Sequence, residues 1–228
     1  LARTHLTQGR HQDALAVYDR LLAEEPDDRE LLEQRARVLH QAGRSAEAVA
    51  ALRNLARMAR AEGSTAQAIG WLDQARAIDP QDIGLRQDQI EWKLADGSQD
   101  EALVDLFQLA ELHFESGDAD EGQLVLIRIA ELAPNDLDRR LRIGRVLERN
   151  MLVDEAYQAY HALARDLASG GRTDAALAIC EELRRLQPLE QQTLEMRIEV
   201  HLALRQRAEA LEACRETARA WMTQGAQG

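Results

Sequence analysis

Residues 63–80 are GSTAQAIGWLDQARAIDP, a run of helix-forming residues enclosed by Gly63 at one end and Pro80 at the other. The same frame recurs at residues 9–26, 117–134 and 171–188, so glycine and proline each return every 54 residues. The dipeptide Glu-Ala keeps this period, with its glutamates at Glu47, Glu101, Glu155 and Glu209. A fixed period of this size is typical of proteins in which stacked repeats bury their apolar faces against one another.

We therefore divide the chain into four repeats that follow a partial helix at residues 1–9. The first to fourth repeats are residues 10–63, 64–117, 118–171 and 172–225, and we expect them to form one continuous solenoid. Leu1 to Arg3 align with Leu55 to Arg57, which lie inside a predicted helix. This alignment predicts that the sequence is an excerpt of a longer protein.

Each repeat is predicted to contain three helices, which in the second repeat cover about residues 65–78, 82–96 and 98–116. Pro80 ends the first of these because it lacks the N–H that a helix interior needs, and Asp82 is suited to cap the second. Gly97 and Ser98 are expected to end the second and cap the third. No stretch has the alternation of a strand, so the predicted fold class is all-α.

The spacing of Gly63, Ala68, Ala75 and Pro80 resembles the helix-turn-helix unit of the tetratricopeptide repeat family, whose repeat is 34 residues long. The same spacing occurs at Gly9, Ala14, Leu21 and Pro26, and at Gly171, Ala176, Leu183 and Pro188. The chain departs from the family after Ala48, where no proline follows. Residues 44–62 look like the second helix of one unit fused to the first helix of the next, and we call this helix and its counterparts the hybrid helices. The resemblance implies a helical-repeat solenoid, a tetratricopeptide-like superhelix.

The chain is acidic, with a formal net charge of −12. Most of this charge lies in the second repeat, which has eleven acidic residues and only three basic ones, Arg76, Arg86 and Lys93. Negative charge opposes the electrostatic attraction that drives nucleic-acid binding, so we expect no nucleic-acid partner. The sequence contains no apolar run of membrane-spanning length, and a cytoplasmic location is predicted. Lys93 is the only lysine, an arginine bias that suggests a bacterial source.

Residues capable of catalysis or metal binding do not form a recognisable pattern. The six histidines make no pair at helical spacing with one another or with cysteine, so no metal site and no cofactor are predicted. Cys180 and Cys214 fall in apolar columns of the repeat alignment and are both expected to be small core residues. The chain is therefore predicted not to be an enzyme.

On the hybrid helices, the two repeat positions that hold Arg53 and Arg57 in the first repeat are mostly basic. In the family that the chain resembles, the equivalent positions face the groove that holds peptides, which implies a site for acidic or carboxylate groups. Alternatively, these arginines pair with acids of neighbouring repeats. Phe107 is either an anchor that faces a partner or filler beneath a local irregularity. The candidate binding residues are Arg53, Arg57, Phe107, His161, Arg165, Arg215 and Arg219.

The predicted function is a non-enzymatic scaffold or adaptor that presents a curved helical surface to a protein or peptide. Two alternatives stay open. The chain could be a regulatory or sensor domain of a larger enzyme or signalling protein. It could also be a self-assembling structural repeat, because the open ends of a solenoid expose apolar faces.

Overall fold

The computed structural model describes residues 1–187 and 191–225, and those residues form thirteen α-helices and no strand. Pro188, the last proline of the repeat, lies outside the described residues. The helices are α1 (Ala2–Thr7), α2 (His11–Glu24), α3 (Arg29–Gln41), α4 (Ser45–Ala61), α5 (Thr65–Ile78), α6 (Ile83–Ala95), α7 (Gln99–Ser116), α8 (Ala119–Leu132), α9 (Leu137–Arg149), α10 (Val153–Ser169), α11 (Thr173–Leu186), α12 (Gln191–Ala203) and α13 (Arg207–Gly225). The all-α prediction is confirmed.

Aspartates cap three of the helices that follow a proline of the repeat. Asp28, Asp82 and Asp136 each accept a hydrogen bond at 3.0 Å from the backbone N–H three residues on, where α3, α6 and α9 begin. Satisfying such a free N–H typically stabilises a helix start by about 1 kcal/mol. The cap predicted for Ser98 is wrong in its detail, since Ser98 stands at the N-cap position of α7 but its side chain accepts no hydrogen bond there.

The hybrid helices are the long ones. α4, α7 and α10 contain 17, 18 and 17 residues, whereas α5 and α6 contain 14 and 13. In α4 the buried residues run from Ala48 near its start to Ala59 near its end. Because α4 packs against both α3 and α5, one helix contributes to two neighbouring layers.

The chain divides into two compact units, Leu1–Asp118 and Ala119–Gly228. The N-terminal unit has one core cluster between α2, α3 and α4 and another that is centred on α4 and α5. The C-terminal unit has a core cluster formed by α10, α11 and α12. Within both units the helices that pack extensively are neighbours in sequence, and α10 touches α12 only slightly, as expected for a stack of repeats.

The tight turns between helices use a left-handed residue. Gly43, Gly97 and Gly117 have φ values of 76°, 83° and 86°, which only glycine adopts without steric cost. Met151 and Arg205 replace glycine at two such turns, and their φ values of 63° and 59° show that they take the same conformation. The turn geometry is therefore kept where the glycine is lost.

Gly144 on α9 lies directly against the ring of Tyr160 on α10. A methyl group at Gly144 would overlap Cε1 and Cζ of Tyr160 on α10. In the first repeat the same two positions hold Ala36 and Leu52. Compared with the first repeat, the third has a larger residue, Tyr160, on one helix and a smaller one, Gly144, on the other. The smaller residue makes room for the larger ring.

We predict that Gly144→Ala lowers the free energy of unfolding by about 1–3 kcal/mol, because it overfills a packed interface. The double variant Gly144→Ala/Tyr160→Leu, which reproduces the pair of the first repeat, should recover most of that loss. Urea denaturation of the two single variants and the double variant measures this coupling. If the losses in unfolding free energy of the two single variants simply add in the double variant, the proposed size compensation between residues 144 and 160 is contradicted.

Candidate functional site

The seven candidate residues lie on the hybrid helices α4, α7, α10 and α13, as predicted. Arg53 does not reach into an open groove. Its Nε donates to Asp88 Oδ2 on α6 at 2.7 Å, and its Nη2 lies 3.4 Å from the Gly84 carbonyl oxygen. Arg53 therefore follows the alternative expectation, in which the arginine pairs with an acid of a neighbouring repeat.

Phe107 and His161 lie inside the helical packing. The Phe107 side chain is 2 % exposed and His161 is 7 % exposed. The His161 ring stacks on Tyr157 with ring centroids 5.8 Å apart, and its Nδ1 lies 3.3 Å from Arg165 Nη2. Phe107 is therefore filler in this conformation, and neither ring is accessible to a partner.

The remaining arginines are exposed. Arg215 and Arg219 lie 3.4 and 3.8 Å from Glu212 on their own helix. Arg57 and Arg165 make no ion pair with the described residues. Because most of the seven residues are either paired or buried, the structure does not assemble them into one open basic surface within either unit.

An open apolar cleft lies instead on the third repeat, within the C-terminal unit. It has a volume of about 530 Å³ and is formed by α8, α9 and α10. Its apolar lining consists of Leu126, Ile127, Ala130, Ile143, Leu147 and Ala159. The polar lining consists of Gln123, Asp154, Glu155 and Gln158, so the cleft has two carboxylates and no basic group.

Comparison of the repeats shows why this position is apolar in the third one. Ile127 and Ile143 occupy two positions that carry a polar pair in each of the other repeats. Arg35 donates to Asp19 at 2.7 Å in the first, and Gln89 donates to Asp73 at 2.6 Å in the second. In the fourth, Arg197 and Glu181 lie 3.8 Å apart. The third repeat has thus lost a polar bridge between its first two helices, and Ile127 is 54 % exposed.

The second repeat fills the equivalent region with charge. Lys93 Nζ donates to Asp105 Oδ2 at 2.7 Å, and Arg76 Nη1 donates to Asp105 Oδ1 at 3.1 Å. Both Lys93 and Asp105 are buried. The third repeat has Leu147, Ala159 and Ala130 at these three positions, which line its cleft.

Glu155 at the edge of the cleft lacks the partners that its counterparts in the first two repeats have. Glu47 forms an ion pair with Arg44 at 2.6 Å, and Glu101 lies 3.5 Å from Lys93. The residues that correspond to these two bases in the third repeat are Leu152 and Leu147. Glu155 is exposed and makes no ion pair with the described residues. Its carboxylate is therefore available beside an apolar surface.

The two cysteines differ. Cys180 is fully buried, and burial raises the pKa of its thiol to about 11 because a thiolate is poorly solvated there. The core position predicted for Cys214 is wrong, since Cys214 is exposed. Its counterpart Leu52 is covered by the helix that follows its own, α5, whereas among the described residues no helix follows α13.

Within residues 1–187 and 191–225, no three His, Cys, Asp or Glu side chains are grouped so that they could hold a metal ion. In the same part of the chain, no helix combines the length and the apolar character needed to cross a membrane.

The chain belongs to the tetratricopeptide repeat family, whose sequence profile matches residues 1–53, 45–83 and 161–224, more than half of the sequence. No curated protein matches the sequence.

Several solved structures are similar to the chain in fold. One is the complex of the TPR2AB domain of yeast Sti1 with pHSP90, at 16 % identity over 96 % of this chain and 87 % of that one, with a TM-score of 0.41. Another is a tetratricopeptide repeat protein from Parabacteroides merdae, at 16 % identity over 96 % and 90 % of the two chains, with a TM-score of 0.30. A third is YrrB, described as having an unusual peptide-binding site, at 17 % identity over 72 % and 91 %, with a TM-score of 0.30.

We predict that the two thiols differ in reactivity. At pH 8 in the folded protein, Cys214 should react with a disulfide reagent within minutes, whereas Cys180 should react only after unfolding, since it is both buried and protonated. Absorbance of the released thiol measures both phases. Cys214→Ser should abolish the fast phase and Cys180→Ser should leave it intact; a fast phase that survives Cys214→Ser would contradict the prediction.

Proposed function

We propose that this protein is a non-enzymatic scaffold that binds a protein or peptide through the helical surface of its repeats. Membership of the tetratricopeptide repeat family supports the proposal, because proteins of this family are generally non-enzymatic scaffolds. The observation that carries it is the open apolar cleft formed by α8, α9 and α10.

The physical reason is the cost of leaving such a surface in water. Each square ångström of apolar surface removed from water contributes about 25 cal/mol, so a partner that covers the cleft gains binding energy directly. Large exposed apolar patches commonly mark interaction sites. A volume of about 530 Å³ is also within the range of pockets that bind ligands or peptide side chains.

The basic positions support a partner less strongly than the cleft does. Arg53 is held by Asp88, and Arg215 and Arg219 lie beside Glu212. At Arg53, Arg215 and Arg219, an acidic partner would therefore have to compete with an existing ion pair. A cytoplasmic location, a regulatory role in a larger protein and self-assembly remain predictions of the sequence.

Selection from a phage-displayed library of random 12-residue peptides on the immobilised chain tests the proposal. We expect enriched peptides that bind the chain with one-to-one stoichiometry and micromolar affinity by calorimetry. Selection on the urea-unfolded chain is the control and should enrich none of these sequences. Failure to recover any peptide that binds the folded chain in preference to the unfolded one would contradict the proposed function.

A further inference from the structure

We infer that the cleft of the third repeat receives an aliphatic side chain of a partner peptide and that Glu155 pairs with a basic residue of the same peptide. This inference rests on the proposed function and names the chemistry of the partner. The partner is thus a peptide segment in which an aliphatic residue such as leucine or isoleucine lies close to arginine or lysine.

The walls of the cleft specify the aliphatic part. Ile127, Ile143 and Leu147 present branched aliphatic side chains, and Ala130 and Ala159 leave room between the helices. No aromatic side chain lines the cleft. A flexible aliphatic side chain can fill such a space closely, and its burial contributes about 1.5–3 kcal/mol.

The third repeat differs from the other three at the positions of Ile127 and Ile143. The other three repeats have a polar pair at the positions of Ile127 and Ile143, and such a pair would have to be broken before an apolar group could enter. A bound apolar group would also cover the separated polar groups and keep water from them, which costs free energy. The exchange of Asp and Arg for two isoleucines removes that cost and adds apolar contact, so the third repeat is the one suited to bind an aliphatic group.

The charge at the edge specifies the basic part. Glu155 and Asp154 both line the cleft and are exposed, and Asp154 accepts a hydrogen bond at 2.9 Å from Gln187. Glu155 has lost both bases that pair with its counterparts in the first two repeats. A partner with arginine or lysine at this edge restores an ion pair of the kind that Glu47 makes with Arg44.

Charge also disfavours a second copy of the chain as the occupant. The chain carries a formal net charge of −12, so two copies repel each other at low ionic strength. An acidic peptide at the cleft is repelled locally by the carboxylates of Glu155 and Asp154. A short segment with a basic and an aliphatic residue gains apolar contact with the lining and an ion pair with a carboxylate at the edge.

The decisive variant transfers the polar pair of the first repeat into the third. Ile127→Asp/Ile143→Arg reproduces Asp19 and Arg35 and should close the cleft while keeping the helices intact, which circular dichroism and thermal melting check. We expect it to weaken calorimetric binding of the selected peptides by about tenfold or more. If the double variant does not fold, Ile127→Asp alone replaces it, because Ile127 is more than half exposed.

The charge is tested separately. Glu155→Gln should weaken binding about threefold at low salt, and replacing the basic residue of the peptide by norleucine should cause a similar loss. In the double change these two losses should not add, since both remove the same ion pair. Glu209→Gln, at the same position of the fourth repeat, is the matched control and should leave the affinity unchanged.

The outcomes separate the two proposals. Peptides that bind the folded chain but keep their affinity for Ile127→Asp/Ile143→Arg would overturn this inference and leave the scaffold function standing. Selected peptides without a basic residue would also overturn it. A concentration-dependent dimer in sedimentation that dissociates in Ile127→Asp would assign the cleft to a second copy instead. If no peptide binds the folded chain, both proposals fail.

Discussion

Close contact between neighbouring helices depends on small residues that recur at fixed positions. Ala14, Ala68 and Ala176 occupy one such position, Ala48, Ala102 and Ala156 occupy a second, and Ala56, Ala110 and Ala164 occupy a third; all nine are fully buried. A small side chain lets two helix backbones approach, and a larger one would push them apart. The larger apolar residues can then interdigitate around these contacts, which is what α4 does with α3 on one side and α5 on the other.

At other core positions the residues differ between repeats, and a change at one position is accompanied by a matching change at its neighbour. A glycine at position 144 accompanies a tyrosine at position 160, and the buried Lys93 accompanies the buried Asp105. Burial of a charge is costly unless the charge is paired, so the second repeat keeps its lysine only together with its aspartate. The cleft of the third repeat differs from these cases: Ile127 and Ile143 are compatible with each other, but together they leave apolar surface open to a partner.

The sequence alone predicted the helices well because proline, aspartate and glycine act locally. The predicted limits 65–78, 82–96 and 98–116 differ from α5, α6 and α7 by at most one residue at each end. The site was less predictable, since pairing depends on which helix faces a side chain: the repeat alignment placed Arg53 on a surface but could not show that Asp88 holds it. The cleft could have been predicted from the sequence by comparing pairs of aligned positions. The third repeat has isoleucine, Ile127 and Ile143, at both positions where the first repeat has Asp19 and Arg35.

Hydrogen exchange on the variant Ala68→Leu tests the central claim, that each layer is stabilised by the layers beside it. Ala68 is fully buried on α5, in the core cluster that contains α4. Overfilling this contact should lower amide protection in α4, α5 and α6 and leave protection in α10, α11 and α12 unchanged, because stability in a repeat protein is a sum of local terms. An equal loss of protection in α10 to α12 would show one shared core and would contradict the claim.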